Sequence, residues 1–456
     1  MRGFKFKLLV CSMKRILVLG AGRSSSALIA YLLREAKSLS CEVVVGDASR
    51  QAALEKVPPE SGGSAILFDI QQEAGALDAI SEADVVVSLL PPHFHPVVAR
   101  YCLRLKKHLL TASYVSPEMR GLDIEAGANG LLFLNECGLD PGIDHMSAMQ
   151  VIDTIRRDGG HVYSFESFTG GLIAPETDPD NPWRYKFTWN PRNVVMAGQG
   201  TAKYMENGKY KYVPYQQLFL RTTPVRVPGY GEYEGYANRD SLSYIDTYAL
   251  KGIRTMLRGT LRNKGFCAAW NVLVQLGCCD DSYLMEDVAA MTHADFINAF
   301  LSGPENVAAG EKLARQEGMA VGEGEMQRLR WAGLFSAEPV GLTKGTPAQI
   351  LEHILNKRWK LNAGDRDMIV MWHRFLYEHD GKKKEIQASL VVKGDDAIQT
   401  AMAKTVGLPL GIAAKLLLQG KIPVRGVAIP THSAIYGPVM EVLKKEGIVL
   451  EERQIS

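Results

Sequence analysis

Short apolar runs and amphipathic stretches alternate along the first third of the chain. Arg15–Leu19, Glu42–Gly46 and Asp84–Leu90 are apolar enough for buried strands, and Ser26–Ser38 has the apolar spacing of a helix. Strand, helix and strand in this order are typical of βαβ units, whose strands lie parallel. The same rhythm continues with three further predicted strands and a helix, which are Ala65–Phe68, His108–Thr111, Leu131–Leu134 and Pro96–Leu105. We therefore predict an α/β domain built on a parallel sheet.

A glycine-rich turn follows the first predicted strand. It consists of Gly20, Ala21, Gly22, Arg23 and Ser24, and a helix comes directly after it. The first glycine permits a tight turn, and the second lets backbone N–H groups approach a pyrophosphate at the helix N-terminus. The turn, its helix and the acid that ends the second strand have the order of a dinucleotide-binding fingerprint, so we expect a nicotinamide dinucleotide to bind here.

The acid at the end of the second strand bears on the choice of cofactor. Asp47 is placed to accept hydrogen bonds from ribose hydroxyls, and a 2′-phosphate there would meet a like charge. This favours NAD over NADP. Arg50 is close enough in sequence to pair with a phosphate, so NADP stays possible.

The most informative stretch is NECGLDPGIDHM, which covers residues 135–146 and follows the strand Leu131–Leu134. Ligands of open α/β sheets bind at the carboxyl ends of the strands, where this turn delivers acids and a histidine. Asp140 is the candidate for proton transfer, although Asp-Pro-Gly alone is also an ordinary turn. For Asp144 and His145 we favour a structural role, and for His93 and His95, in a loop after two prolines, a packing or capping role.

Composition and charge exclude several classes of protein. The 456 residues carry a formal net charge of +2, and no basic tract is interleaved with aromatics, so we expect no nucleic-acid partner. No segment reads as a membrane span, and Met1–Ser12 lacks the apolar core of a signal peptide. Seven cysteines without framework spacing indicate a reducing compartment. We expect a cytoplasmic enzyme without a metal.

Beyond about residue 150 the pattern changes to longer strands, such as Val162–Thr169, and to polar loops bracketed by aromatics. Arg239, Arg258 and Arg262 lie in such segments, and arginine suits the bidentate capture of carboxylates. The alternative is that Arg258 and Arg262, four positions apart, form a solvated helix face.

Taken together, these segments resemble the glutamate-forming saccharopine dehydrogenases, also called saccharopine reductases. The matching segments run in order along almost the whole chain and are GAGRSSSALI, LLPPHFH, TASYVS, NECGLDPGIDHM, GGLIAPE, DNPWRYKFTW, NRDS, RGTLR and KGF. The resemblance implies a Rossmann-like dinucleotide-binding domain and a mixed α/β substrate and dimerisation domain with a small helical insert. The implied boundaries are 13–142 for the first domain, 143–398 for the second with its insert at about 281–345, and 399–456 for a segment that returns to the first.

The resemblance also implies which residues contact ligands. The cofactor residues would be Gly20, Ala21, Gly22, Arg23, Ser24, Gly46, Asp47, Asp69, Ile70, Leu90, Ala112, Ser113, Leu139 and Pro141. The substrate residues would be Ser113, Tyr114, Asp140, Arg239, Thr260, Leu261 and Arg262. Two positions depart from the family pattern. Asp47 stands where members that use NADP carry a basic residue, and Thr169 stands where some members have a cysteine.

The implied reaction converts saccharopine, NAD(P)+ and water into L-glutamate, 2-aminoadipate 6-semialdehyde and NAD(P)H. It requires proton transfer but no protein nucleophile, so we assign Asp140 as the catalytic acid or base and Tyr114 as its partner. A homodimer follows from the resemblance. The alternatives are a carboxynorspermidine- or homospermidine-type enzyme, whose pocket would need acids instead of arginines, and a nucleotide-binding homologue without turnover.

Overall fold

The computed structural model describes residues 13–316, 318–319 and 321–455. The leader Met1–Ser12 therefore lies outside the described residues. The chain forms two compact units, the first made by residues up to Met146 and by Ala403–Leu443, the second by Ser147–Met402 and the residues from Lys444 onward.

The first unit contains a parallel sheet, as the βαβ pattern predicts. The strand Gly426–Ala428 forms one edge of the sheet beside Leu132–Leu134, and the other strands follow the doubly wound order. From one edge to the other the strands are Gly426–Ala428, Leu132–Leu134, His108–Thr111, Val85–Ser88, Lys14–Leu19, Cys41–Asp47 and Ser64–Leu67. Apolar runs buried on both faces explain this arrangement, since every residue of Val85–Ser88 is buried.

Helices of the first unit connect these strands. They are Ser26–Leu39, Arg50–Lys56, Glu73–Ser81, His95–Leu105, Pro117–Arg120 and Asp123–Ala128, with 3₁₀ turns at Arg23–Ser25, Pro59–Ser61 and Pro92–Phe94. Three longer helices run across the unit boundaries, namely Ile143–Arg157, Ala401–Leu418 and Ser433–Lys445.

The helix Ala401–Leu418 changes one expectation. It is long and apolar enough to cross a membrane by length and composition, contrary to our prediction that no segment is. In the structure 78% of this stretch is buried. Gly407 and Gly411 face Leu28 and Tyr31, where an added Cβ would approach within 2.8 Å, so small residues let this helix pack closely on Ser26–Leu39.

The second unit is built on a mixed sheet. Its central pair, His161–Ile173 and Thr255–Asn263, is parallel, and the other pairings are antiparallel. In spatial order the strands are Thr222–Val227, Gly231–Ala237, Thr255–Asn263, His161–Ile173, Asp367–His379, Lys382–Lys393 and Glu451–Gln454, with the hairpin Ala202–Glu206 and Lys209–Val213 attached to Thr255–Asn263.

The first strand of this unit is longer than predicted. It runs through Gly170 and Gly171 to Ile173, whereas the glycines suggested an end at Thr169. A Cβ at Gly170 would lie 2.6 Å from the Leu261 carbonyl oxygen, so glycine is needed for close packing and does not break the strand.

The helices of the second unit are short. They are Pro191–Val195, Tyr215–Leu218, Tyr244–Thr247, Phe266–Leu276, His293–Asn298, Ala309–Ala314, Glu323–Trp331 and Pro347–Trp359, with a 3₁₀ turn at Val288–Ala290. Trp183, Trp270 and Trp359 are fully buried, with ring centroids 5.2 to 6.3 Å apart. Cys278 and Cys279 follow the helix Phe266–Leu276 and are both buried.

Candidate functional site

The glycine-rich turn has the geometry that a dinucleotide requires. Gly20 has φ +103°, and a Cβ there would lie 3.1 Å from the carbonyl oxygen of Leu89. A Cβ at Gly22 would meet no atom within 4 Å, so the space beside it is open. No side chain caps the helix Ser26–Leu39. Its N-terminal end can therefore offer backbone N–H groups to a phosphate.

Asp47 contacts the turn directly. One carboxylate oxygen accepts a 2.7 Å hydrogen bond from the Ala21 N–H, and the other accepts a 2.8 Å bond from the Ser49 N–H. The carboxylate thus braces the loop and places a negative charge at the end of Cys41–Asp47. Arg50 begins the helix Arg50–Lys56, three positions further along the chain.

The remaining predicted cofactor residues of the first unit lie at or beyond the ends of its strands. Asp69 accepts a 3.0 Å bond from the Gln71 N–H, and Ile70 is buried. Gly46 packs so closely on Phe68 that a Cβ added at Gly46 would lie 2.9 Å from the Cβ of Phe68. Arg23 is exposed, and the half-exposed residues are Ser24, Leu90, Ala112 and Ser113.

Ser113 lies beside a buried histidine. Its Oγ is 2.8 Å from Nε2 of His95, and Nδ1 of the same ring is 3.1 Å from the Ser88 Oγ. Burial, assisted by the charge of His93, lowers the pKa of His95 to about 4. The ring is therefore neutral at physiological pH. Our sequence interpretation set His95 aside as a packing residue, and its contact with Ser113 could not be seen without the fold.

The Tyr114 loop is held by Glu136. The Glu136 N–H donates to the carbonyl of Ser113 at 3.0 Å, and its side chain accepts a 3.1 Å bond from the Val115 N–H. The other carboxylate oxygen lies 2.9 Å from Nε2 of His145. Glu136 and His145 are buried, whereas Tyr114 is 36% exposed. Glu136 thus fixes the backbone on both sides of Tyr114.

The turn that carries Asp140 folds tightly on itself. The Gly138 N–H donates to the Pro141 carbonyl at 3.0 Å, and the Ile143 N–H donates to the Gly138 carbonyl at 2.8 Å. A Cβ at Gly142 would lie 2.0 Å from the Gly138 oxygen, so only glycine fits there. Asp144 is buried and accepts a 2.6 Å bond from the Gly142 N–H. Asp144 and His145 therefore support the turn, in agreement with the structural role favoured from sequence, while Asp140 is partly exposed beside the buried Leu139.

In the second unit, Arg262 is a buried cation. The residue is 4% exposed and lies on the strand Thr255–Asn263, so the alternative of a solvated helix face is wrong. Its Nη1 donates to the Leu261 carbonyl at 2.9 Å, and its Nε has no hydrogen-bond partner among the described residues. The guanidinium carbon is 5.1 Å from the Tyr185 ring centroid and 5.2 Å from that of Phe266.

The nearest acid by strand pairing does not neutralise Arg262. Glu234 lies opposite it on Gly231–Ala237, but the Glu234 carboxylate accepts the N–H groups of Gly265 and Cys267 at 2.8 and 3.2 Å. In the part of the chain that the structure describes, no carboxylate forms an ion pair with Arg262. A buried guanidinium surrounded by aromatic rings is suited to an anion supplied from outside.

Other predicted substrate residues of this unit lie on or near the same strand. Thr260 pairs with Thr169 on one side and Tyr236 on the other, so Thr260, Thr169 and Arg262 project from one face of the sheet. Leu261 projects from the other face and is fully buried. Arg239 has φ +45°, and its carbonyl accepts a 2.7 Å bond from the Lys203 N–H.

Together these features define a class of protein. A doubly wound parallel sheet with an uncapped helix behind a glycine turn, and a carboxylate at a strand end, are typical of a nicotinamide-dependent oxidoreductase. No group of three or more His, Cys, Asp or Glu side chains suited to a metal ion occurs within the described ranges.

Comparison with known proteins narrows the class to one family. Residues 16–134 match the saccharopine dehydrogenase NADP binding domain, and residues 138–448 match the saccharopine dehydrogenase C-terminal domain. The chain belongs to the saccharopine dehydrogenase family. This confirms the predicted family, the α/β fold class and the oxidoreductase class.

Full-length relatives agree. The chain is 34% identical over 455 residues to the saccharopine dehydrogenase [NADP(+), L-glutamate-forming] of Schizosaccharomyces pombe, covering 97% of this chain and 100% of that protein. It is 37% identical to the mitochondrial alpha-aminoadipic semialdehyde synthase of Mus musculus, covering 96% of this chain and 47% of that protein. The solved structure of apo saccharopine dehydrogenase (L-Glu forming) from Saccharomyces cerevisiae has a TM-score of 0.87 and 32% identity, covering 97% of this chain and 100% of that one.

These comparisons support NADP binding and count against our expectation of NAD. The matched first domain is described as NADP-binding, and the fungal relatives carry NADP(+) in their names. The argument for NAD rests on Asp47 alone.

Proposed function

We propose that this chain is a glutamate-forming saccharopine dehydrogenase. It oxidises saccharopine with a nicotinamide dinucleotide and water, and releases L-glutamate and 2-aminoadipate 6-semialdehyde in lysine metabolism. The single observation that carries this proposal is Arg262, a buried cation that has no carboxylate partner among the residues the structure describes. The full-length L-glutamate-forming relatives support it as well.

Arg262 argues for an anionic substrate on energetic grounds. An unpaired charge in the interior costs several kcal/mol of desolvation, which a protein retains where a ligand supplies the counter-ion. Saccharopine carries three carboxylates. A polyamine-type substrate would instead require acids in the pocket, so Arg262 counts against carboxynorspermidine- or homospermidine-forming activity.

The proposed substrate contacts include residues of both units. Arg239 binds a second carboxylate, Thr260 projects from the same face as Arg262, and Leu261 contributes through its backbone, whose carbonyl accepts from Arg262. The proposed contacts from the first unit are Ser113, Tyr114 and Asp140. The proposed cofactor contacts are Gly20, Ala21, Gly22, Arg23, Ser24, Gly46, Asp47, Asp69, Ile70, Leu90, Ala112, Ser113, Leu139 and Pro141.

A bound nicotinamide would supply the acceptor for the hydride of the lysine-derived ε-carbon, and the protein residues manage protons and charge. Asp140 is the acid or base, since it lies in a rigid turn and is partly exposed. Water addition to the imine releases a proton, and departure of the glutamate nitrogen takes one up. Tyr114 assists Asp140 with a hydroxyl that Glu136 keeps in place through its neighbours.

We propose further that Asp47 disfavours a 2′-phosphate and makes NAD the better cofactor. Both of its oxygens hold backbone N–H groups, so the carboxylate cannot turn away from the ribose side without releasing the loop. The relatives named for NADP(+) argue against this preference. Asp47→Ala should then improve NADP relative to NAD, and an unchanged ratio would disprove the role of the charge.

We likewise propose a homodimer and the domain boundaries 13–142, 143–398 and 399–456 from the family resemblance, and a cytoplasmic location from the cysteine usage. Light scattering of the purified chain tests the homodimer, and cell fractionation tests the location.

The decisive experiment measures saccharopine-dependent NADH or NADPH formation at 340 nm, with glutamate quantified in parallel. Glutamate appearing in step with reduced cofactor is the expected result. A chain that binds the cofactor but does not turn over saccharopine would favour the non-catalytic homologue. Turnover of a carboxylated polyamine instead would favour the alternative enzyme.

A further inference from the structure

His95 joins two hydroxyl groups inside the first unit. The side chain is 3% exposed, with Nδ1 at 3.1 Å from the Ser88 Oγ and Nε2 at 2.8 Å from the Ser113 Oγ. Ser88 is fully buried, whereas Ser113 is half-exposed. The three side chains therefore form a hydrogen-bonded chain from the interior of the sheet to its surface.

A fourth group fixes this geometry. The Thr111 Oγ1 lies 3.1 Å from Nε2 of His95 and accepts a 3.2 Å bond from the Ser113 N–H. Thr111 is the last residue of His108–Thr111, so both the ring and the backbone of Ser113 are tied to the end of a buried strand.

The hydrogen bonds that link Ser88, His95 and Ser113 can exist in two arrangements. In one, the Ser113 hydroxyl donates to Nε2, and Nδ1–H donates to Ser88, so the Ser113 oxygen keeps its lone pairs for a ligand. In the other, Ser88 donates to Nδ1 and Nε2–H donates to Ser113, so the Ser113 hydroxyl proton is available to a ligand. Each hydroxyl both donates and accepts, and a neutral imidazole has one donor and one acceptor nitrogen.

We propose that Ser88, His95 and Ser113 form a hydrogen-bonded chain of reversible polarity, in which His95 is a positioning residue that lets the Ser113 hydroxyl accept from the ligand in one step and donate in another. This inference rests on the proposed function, because Ser113 is assigned there to the ligand.

The proposed reaction needs both polarities. Water addition to the imine requires an acceptor for a proton, and release of the glutamate nitrogen requires a donor. A serine with a fixed hydroxyl could assist only one of these steps. The low pKa of His95, caused by burial first and by His93 second, keeps the ring neutral, and protonation would lock the chain in the donating arrangement.

A double-mutant cycle tests the chain. Ser88→Ala removes the interior partner and should lower kcat about tenfold with little change in KM for saccharopine, since one hydrogen bond that acts in the transition state is lost. In a Ser113→Ala background the same change should have no further effect. Equal effects of Ser88→Ala in both backgrounds would overturn the proposal.

A matched serine–histidine chain provides the control. In the second unit, His373 lies 2.7 Å from the Ser147 Oγ and 3.0 Å from the Ser167 Oγ, and all three residues are buried. Neither hydroxyl is exposed to a ligand. Ser147→Ala should therefore lower thermal stability and leave kcat unchanged. A kcat loss as large as that of Ser88→Ala would mean that such chains act only through folding.

A second measurement does not depend on turnover. The ¹⁵N shifts of the His95 ring, assigned with His95→Gln, report which nitrogen carries the proton. We expect the tautomer ratio to change when NAD(P)+ and glutamate are added. An unchanged ratio in a saturated complex would overturn the proposal, whereas absence of saccharopine turnover by the unaltered protein would instead reject the proposed function.

Discussion

Buried charge is treated in two opposite ways, one around Glu136 in the first unit and the other around Arg262 in the second. In the first, Glu136 and Asp144 are buried, and each accepts hydrogen bonds from backbone N–H groups or from His145. In the second, Arg262 is equally buried, yet within the described part of the chain it contacts a backbone carbonyl and aromatic rings and no carboxylate. Charges that support the fold are matched within the unit, and the charge proposed to bind substrate is left for the ligand to match.

This contrast separates residues that stabilise the fold around the site from residues proposed to bind the ligand. Loss of a matched charge should cost stability first, because its partner remains buried without compensation. Loss of an unmatched charge should cost binding and leave folding intact.

The largest effect is expected for Asp140→Asn. The amide has the same size but cannot exchange a proton, so kcat should fall by about two to four decades while the unfolding temperature stays the same. Steady-state kinetics and thermal unfolding of the same preparation check this. Full turnover by the variant would remove Asp140 from the chemistry.

Arg262→Met should raise KM for saccharopine about a hundredfold, since the ligand then lacks its buried counter-ion. Its thermal stability should be unchanged or higher, because the fold loses no ion pair. The matched control is Arg374→Met. Arg374 pairs with Glu385 at 3.0 Å and Glu166 at 3.4 Å, so this variant should lose stability and keep its KM. The reverse pattern in the two variants would refute the contrast between matched and unmatched buried charges.

His95 should make stability depend on pH. Its folded pKa of about 4 lies below the ordinary value of 6.5, so the unfolded chain binds the proton more readily. Its contribution is complete above pH 6.5 and is lost as the pH falls toward 4, by on the order of 3 kcal/mol in total. Unfolding midpoints between pH 7 and 4.5 should decline less steeply in His95→Gln. Parallel curves for the two proteins would contradict the assignment.

The smallest effect is expected for Glu136→Gln. Loss of the charge opposite His145 should lower the free energy of unfolding by about 2 kcal/mol, the typical value of a hydrogen bond to a charged group. Denaturant titration measures this loss. His145→Gln should lower the free energy of unfolding by a similar amount. The double variant should lose no more stability than either single variant. A fully additive double variant would mean that the two residues do not act as a pair.

The fold could be predicted further from sequence than the site could. Apolar runs and turn residues indicated each strand of the parallel sheet up to Leu132–Leu134, because buried strands leave a local pattern. The pairing of Glu136 with His145, and of His95 with Ser113, left no such pattern, since these contacts depend on how separate strand ends meet. The sequence predicts that Arg262 binds substrate, but it does not decide between a helix and a strand, because residues four apart suit a helix face and alternate residues suit a strand.

The strand Gly426–Ala428 sets the order in which the protein can be completed on the ribosome. It pairs with Leu132–Leu134, and the Val427 N–H donates to Asp123, 304 positions earlier. The core of the second unit is synthesised between these two strands. The edge of Leu132–Leu134 therefore stays unpaired until Gly426–Ala428 has been made. Exposed strand edges invite wrong pairing between chains. Translation speed and chaperone supply during that interval should therefore govern the yield of this enzyme more than its final stability does.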